Sequence, residues 1–150
     1  MKIKLKSKNN FIPVNTPKIY GDEKKYVNDC LTSGWISSEG KYVKEFERRF
    51  SKFNDKKYGI AVTSGTAALE VALKSLNLKK KSEVIIPNFS IISTALCVVK
   101  LGLKPILVDA DPETWNMCPK QIIKKINKNT KAIIITHIYG FPVDMKNILK

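Results

Sequence analysis

The hydrophobic positions of the chain change rhythm near residue 58. Before that point they recur at helical spacing. Tyr26, Val27, Cys30 and Leu31 predict a helix from Asp22 to about Ser33, stopped by Gly34. Val43, Phe46, Phe50 and Phe53 share one face of a second predicted helix, from about Lys41 to Phe53, and the stretch Trp35–Gly40 is the loop between the two. Pro13 and Pro17 oppose helix in the first 17 residues, which are expected to be extended. The organisation expected is an N-terminal arm over residues 1–20 and an incomplete larger domain over residues 21–150.

After residue 58, short and continuously apolar runs alternate with helical patterns. Strands are predicted at Tyr58–Val62, Glu83–Ile86, Lys104–Val108 and Lys131–Thr136. Helices are predicted at Thr66–Leu76, Ser90–Leu101 and Pro119–Ile126, and a further one starts at Asp144. The helix at 90–101 is almost wholly apolar and is expected to be buried. Strands that alternate with helices imply right-handed crossovers, hence an α/β fold with a parallel-sheet core and flanking helices. Ligands of such folds bind at the carboxyl ends of the strands, which puts the loops 63–66, 87–90, 109–115 and 137–142 on one rim.

Composition narrows the class. With 150 residues, 43% hydrophobic and 27% charged, the chain has globular proportions. It contains no run of 18 apolar residues, and its first ten residues, MKIKLKSKNN, lack the apolar centre of a signal peptide, so a cytoplasmic protein is expected. The formal charge of +14 invites a nucleic-acid reading, but all of the basic residues except Arg48 and Arg49 are lysines, scattered over every predicted helix and turn. Readers of bases and phosphates favour the planar fork of Arg, so the charge is read as solvated surface and no nucleic-acid partner is expected. Cys30, Cys97 and Cys118 form no CxxC pair and His137 is the single histidine, which leaves too few ligands for a zinc site. A nucleophile elbow is absent as well. The last stretch, from Asp144 to Lys150, is a helix start with no stop signal, and a truncated sequence is expected.

One stretch carries chemistry. Val62-Thr63-Ser64-Gly65-Thr66-Ala67-Ala68-Leu69 leaves a predicted strand, turns on a glycine flanked by hydroxyl residues, and enters an Ala-rich helix. The free N–H groups of a helix's first turn attract anions, Gly65 admits a close approach, and Ser64 and Thr66 add hydroxyl donors. It is neither a Walker loop nor G-x-G-x-x-G. Phosphate binding and a plain capped turn, with Thr as the cap, are both compatible with it.

Further stretches occur in a definite order: Phe11-Ile12-Pro13-Val14, Gly21-Asp22-Glu23-Lys24-Lys25-Tyr26, Ser33 through Tyr42, Phe46-Glu47, Thr63 through Leu69, Glu83 through Pro87, Asp109-Ala110-Asp111-Pro112, Thr114-Trp115-Asn116-Met117 and His137-Ile138-Tyr139-Gly140. Over residues 11–150 their order and spacing resemble the DegT/DnrJ/EryC1/StrS family of sugar aminotransferases, and within it the perosamine synthase-like members. The resemblance implies the fold of the pyridoxal 5'-phosphate enzymes of type I and a homodimer with active sites at the subunit interface. It implies transfer of an amino group from an amino-acid donor, glutamate, to a nucleotide-linked keto-sugar, in the synthesis of surface polysaccharide. It further implies that Gly65, Thr66 and Ala67, with Ser64 beside them, hold the cofactor phosphate. By the same resemblance the loop Gly34–Gly40 lies near the sugar nucleotide, with Trp35 and Ser37 as candidate contacts. A core anchor after the helix stop is the alternative for Trp35.

Two departures from the family pattern matter. Where many relatives carry Pro-x-x-Thr-aromatic, with the aromatic ring stacked on the cofactor, this chain has Pro87-Asn88-Phe89-Ser90-Ile91. Either Ile91 packs there instead, or Phe89 reaches in. The family's Schiff-base lysine and its carboxylate for the pyridine nitrogen lie later than the Gly140 region, so no catalytic residue is assigned. His137, at a strand's carboxyl end, is given a structural or supporting role. The rival reading is a non-catalytic remnant or split-gene subunit that keeps phosphate or partner binding. A Rossmann-type nucleotide module is disfavoured, because no Gly-rich fingerprint opens the first βα unit and no acidic residue ends the second strand at Pro87-Asn88.

Overall fold

A computed structural model describes residues 12–149. The first part of the expected arm, Phe11 of the resembling stretches and Lys150 lie outside the described residues. Residues 12–20 are exposed and belong to no helix or strand. The chain divides between Ala61 and Val62 into two compact units.

The first unit is a helical hairpin. Helix α1 (Glu23–Ser33) ends where Gly34, at φ 73°, turns the backbone left-handed and donates its N–H to Leu31 O. Only glycine adopts that conformation without a Cβ penalty. Helix α2 (Lys41–Phe53) follows with the predicted boundaries. Asp29 of α1 ties the two helices together: its carboxylate accepts from the Tyr42 hydroxyl at 2.8 Å and pairs with Lys41 at 2.6 Å. Tyr26 and Tyr42 pack edge to face beside this link, with centroids 5.0 Å apart.

The strand expected at Tyr58–Val62 does not form. The segment belongs to no helix or strand, and no ladder partner exists for it among the described residues. Ala61 instead donates its N–H to the Glu47 carboxylate at 2.8 Å. Tyr58 and Ile60 are exposed. An apolar run supplies side chains for a sheet, but a strand also needs a neighbour for its backbone.

The second unit is a parallel α/β layer structure. Its elements are α3 (Gly65–Ser75), β1 (Glu83–Pro87), α4 (Ser93–Lys100), β2 (Lys104–Val108), α5 (Pro119–Lys125), β3 (Thr130–Ile133), a 3-10 turn at Ile138–Gly140 and α6 (Met145–Ile148). The three strands run parallel in the order β2-β1-β3, with Ile85 opposite both Ile106 and Ile133. Every residue of the central strand is buried, so its alternate side chains feed two cores. Val84 and Ile86 pack with Leu73, Cys97, Val98 and Leu103 under α3 and α4. Ile85 packs on the opposite side with Val108, Met117 and Ile122 of the α5 side, where Ile148 of α6 also lies. Beyond Glu83 the strand is apolar, and helices over both faces are what such a parallel sheet requires.

Two predicted elements need correction. Helix α4 starts at Ser93 rather than Ser90. Expected to be buried, it buries only Thr94, Cys97 and Val98, while Leu96 and Val99 stay exposed. It meets the sheet along one stripe, and composition alone does not reveal that its other face stays uncovered among the described residues. The fourth predicted strand is regular only from Thr130 to Ile133, although Ile134 still donates to Ile85 O at 2.9 Å.

The amino-terminal pole of the sheet is fastened by one acid. Glu83 of β1 accepts from Asn127 at 2.7 Å and from Lys104 of β2 at 2.9 Å. These two bonds, Asn127's first, hold its carboxyl below the usual carboxylate range.

Candidate active site

The chain runs from β1 outward to β2 on the α4 side, then returns past β1 to β3 on the α5 side. The connections after β1 and β3 therefore leave toward opposite faces, which opens a crevice at their carboxyl ends. Hydroxyl groups gather there. Ser90, just beyond β1, has its Oγ 3.2 Å from Thr94 Oγ1 and 3.3 Å from Thr136 Oγ1, the latter just beyond β3. Thr66, in the first turn of α3, shares a hydrogen bond of 2.8 Å with Ser93, in the first turn of α4. The two helices thus begin side by side at this rim.

The start of α3 has the features of an anion cradle. Ser64 caps the helix, accepting the N–H of Ala67 at 3.2 Å. The helix's own backbone bonding begins when Ala68 donates to Ser64 O at 3.0 Å, so the N–H groups of Gly65 and Thr66 precede it. A Cβ built on Gly65 would meet nothing within 4 Å, so the approach to these N–H groups is open. The capped-turn reading and the phosphate reading are compatible here: the Ser64 oxygen caps, and the N–H groups ahead of it stay directed at the rim. The cap is Ser64, not Thr66.

A second group of residues surrounds a cavity of about 450 Å³ whose walls include Phe89, Trp115 and Tyr139. Phe89 packs edge to face on Trp115, with centroids 5.1 Å apart. Ile91, its rival for the cofactor ring, is 72% exposed. The loop bearing Trp115 is tightly built. Asp111 Oδ1 accepts the N–H groups of Thr114 and Glu113 and the Thr114 hydroxyl. The Thr114 backbone bond is the main cause that holds the Asp111 carboxyl below its ordinary value. Asn116, buried, accepts from Ile138 N–H at 3.0 Å and donates to Phe141 O at 3.0 Å, so one side chain fixes the loop after β2 to the segment after β3. His137 Nδ1 accepts the Val143 N–H at 3.0 Å and closes that segment on itself, in keeping with a supporting role.

Trp35 and Ser37 line a different cavity, of about 560 Å³, within the helical hairpin, together with Val27, Leu31 and Phe46. Trp35 is 57% exposed and is no core anchor. Among the described residues, no cluster of His, Cys, Asp and Glu has metal-binding geometry, and no helix is long and apolar enough to cross a membrane.

Sequence reasoning missed Ser93, Thr136 and the clamp by Asn116. Asn116 stood in one of the resembling stretches, but nothing local marked its reach to Phe141.

Comparison with known proteins decides the family. Residues 17–150 match the DegT/DnrJ/EryC1/StrS aminotransferase family. The chain belongs to it. GDP-perosamine synthase of Escherichia coli O157:H7 is 44% identical over 140 residues, which cover 93% of this chain and 38% of that protein. Among solved structures, an aminotransferase from Psychrobacter cryohalolentis superposes with a TM-score of 0.79 at 34% identity, covering 89% of this chain and 34% of that one. NtdA of Bacillus subtilis, solved with bound PMP, gives 0.78 at 35% identity, covering 87% and 31%. The chain thus spans less than two fifths of the length of these DegT-family relatives.

Proposed function

We propose that this chain is the N-terminal portion of a pyridoxal-phosphate-dependent aminotransferase that moves an amino group from an amino-acid donor, glutamate, to a nucleotide-linked keto-sugar used in surface polysaccharide. The observation that carries the reading is the rim where α3 begins: an open Gly65, N–H groups of Gly65 and Thr66 ahead of the helix's own bonding, and the Thr66 hydroxyl held by Ser93. That set fits a phosphate dianion, since it offers donors at the positive end of a helix and no acid. Ser64, Gly65, Thr66 and Ala67 would hold the cofactor's phosphate, and Phe89 stands closer to a wall role than the exposed Ile91. When bound, the cofactor supplies an electron sink for the substrate's α-carbon. The chain's own part is to anchor it and to close the rim through Asn116 and His137.

Trp35 and Ser37 are proposed for the sugar-nucleotide side, on the strength of the cavity they share. The exposed apolar helices support a homodimer. A cytoplasmic location is proposed with this reading. No lysine lines the aromatic cavity among the described residues, so these 150 residues are proposed not to transaminate alone.

The test compares pyridoxal phosphate with pyridoxal by equilibrium dialysis. The phosphate ester should bind more tightly, and Thr66→Val should narrow the gap. Equal binding of the two aldehydes would end this reading.

A further inference from the structure

The lysines, scattered along the sequence, are not scattered in the fold. Helices α3, α4 and α5 each lead into the next strand, so the connections before β1, β2 and β3 meet at the pole opposite the rim. They are bonded to one another there. Lys81 donates its N–H to Gly102 O, Lys104 donates to Ser82 O and Glu83 donates to Asn129 O, each at 2.9 Å. Residues 74–83, 100–104 and 124–131 form this pole, and they hold ten lysines and a single acid, Glu83. The rim loops 63–66, 87–90, 109–115 and 137–142 hold no lysine and three acids. A lysine-rich composition alone would load both poles alike. All ten lysines are exposed. Lys104 pairs with Glu83 and Lys100 with Glu70, and none of the other eight pairs with a carboxylate among the described residues.

Helix dipoles account for part of this charge. Lys74, Lys100, Lys124 and Lys125 stand in the last turns of their helices, where a cation suits the negative end. Lys79, Lys80, Lys81, Lys128 and Lys131 lie beyond the helix ends, where the dipole gives no such gain and like charges repel. Two apolar side chains stand among them. Leu76, just past α3, is 53% exposed, and Ile126, just past α5, is 50% exposed. The three segments contain no arginine and no aromatic residue. Nucleic acids are held by the planar fork of Arg and by stacking on aromatic rings, and this surface offers neither. Lysine is a compact point charge that suits a diffuse sheet of negative headgroups. Exposed aliphatic side chains among such lysines suit the boundary between headgroups and acyl chains.

We propose that the lysine-covered pole of the second unit docks on an anionic lipid surface, with Leu76 and Ile126 entering the headgroup layer. The contact lies on the membrane and spans nothing. Each lysine near such a surface contributes roughly fivefold in affinity. Docked this way, the rim at the opposite pole of the same unit faces away from the lipid and stays open to small molecules from the aqueous side. The proposal goes beyond amino transfer and stands or falls without it.

Vesicle flotation with the 150-residue chain tests it, since vesicles rise in a sucrose gradient while protein aggregates sink. The chain should float with vesicles of equal parts phosphatidylglycerol and phosphatidylethanolamine and stay behind with phosphatidylcholine alone. Added salt should release it, because exposed charges are screened. Lys79→Gln, Lys125→Gln and Lys128→Gln combined should weaken binding roughly a hundredfold. The same loss of charge on the helical hairpin, by Lys24→Gln, Lys25→Gln and Lys52→Gln at exposed positions, should cost far less. Leu76→Gln with Ile126→Gln leaves the charge unchanged and should weaken binding several-fold. Circular dichroism melts of each variant keep a loss of fold apart from a loss of binding. Failure to float with the anionic vesicles, equal losses from the two lysine triples, or full affinity in the apolar pair overturns the proposal. So does tighter binding of a duplex DNA, read by fluorescence anisotropy at the same salt, which would make the pole a nucleic-acid surface.

Discussion

The hydroxyls of Thr66 and Ser93 lie 2.8 Å apart although the residues are 27 positions apart in the chain, so the first turns of two helices share one hydrogen bond at the rim where a phosphate is expected. The contact aims the Thr66 oxygen. Thr66→Val keeps the shape of the side chain and removes the donor. Hydrogen bonds to charged groups contribute about 1.5–3 kcal/mol, so pyridoxal phosphate affinity should fall roughly tenfold or more. Ser93→Ala leaves the donor but frees its rotamer, and a smaller loss is expected. Dialysis of both variants checks the order, and an unchanged affinity in Thr66→Val would reduce the motif to a capped turn.

In the helical hairpin the close approach is backbone to backbone. A Cβ added at Gly59 would stand 2.7 Å from the Glu47 carbonyl oxygen. Gly59→Ala must push the 58–61 segment off α2 and strain the bond from Ala61 N–H to the Glu47 carboxylate. Overpacking of this kind costs typically about 1–3 kcal/mol. Urea unfolding should show a lower midpoint for Gly59→Ala, while Gly65→Ala, which meets nothing within 4 Å, should lose no stability to a clash.

What could be foreseen from sequence follows the range of the interactions. β2 and α2 were legible to their boundaries, because a short apolar run after Lys104 and a stripe of aromatics every three or four residues are local patterns. Tyr58–Val62 has the same local pattern but lacks a backbone partner, and pairing is not local information. The same divide runs through the site. Ser64-Gly65-Thr66 announces a helix start by its own chemistry. Ser93 beside Thr66, and Asn116 reaching 25 positions along the chain to Phe141, exist only because the sheet brings three loops to one rim.

At the opposite pole, Glu83 gives a pH-dependent fastening. Its bonds to Asn127 and Lys104 lower its pKa from an ordinary 4.5. A depressed carboxyl pKa contributes stability that is present above the unfolded value and lost as pH falls through the folded one. The second unit should therefore lose stability below about pH 4.5 as Glu83 takes up its proton. Glu83→Gln should be less stable at neutral pH and show a shallower acid limb. Thermal melts across pH 3–7 would show it, and parallel acid limbs in the two proteins would contradict it.

The lysines make a further prediction. Among the described residues, those with charged partners are exposed, as with Lys41, Lys44, Lys100 and Lys104, and none lines the aromatic cavity. Pyridoxal phosphate followed by borohydride should label many lysines in part and none stoichiometrically. A single lysine labelled at full occupancy in the peptide map would show a reactive amine at the site and contradict the assignment of no catalytic residue.

Uncovered apolar surface sets the behaviour of the chain in solution. Phe46 and Phe50 stack on each other with centroids 5.4 Å apart, and both remain about half exposed on α2. Phe53, Val27 and Leu31 are exposed on the same hairpin, and Leu96 and Val99 on α4. The largest apolar patch of a typical monomer is about 300–600 Å², and larger ones mark interfaces or aggregation. The charge of +14 opposes association, but it is spread over lysines that salt screens. Added salt should therefore tip the balance toward association. Light scattering is expected to show an oligomer or aggregate that grows with ionic strength, with binding of a dye specific for apolar surface. Phe50→Lys, which keeps an aliphatic stem on α2 and adds charge, should reduce both signals. A monodisperse monomer at high salt with no dye binding would mean that these faces are covered in solution, and the support they lend to a homodimer would be withdrawn.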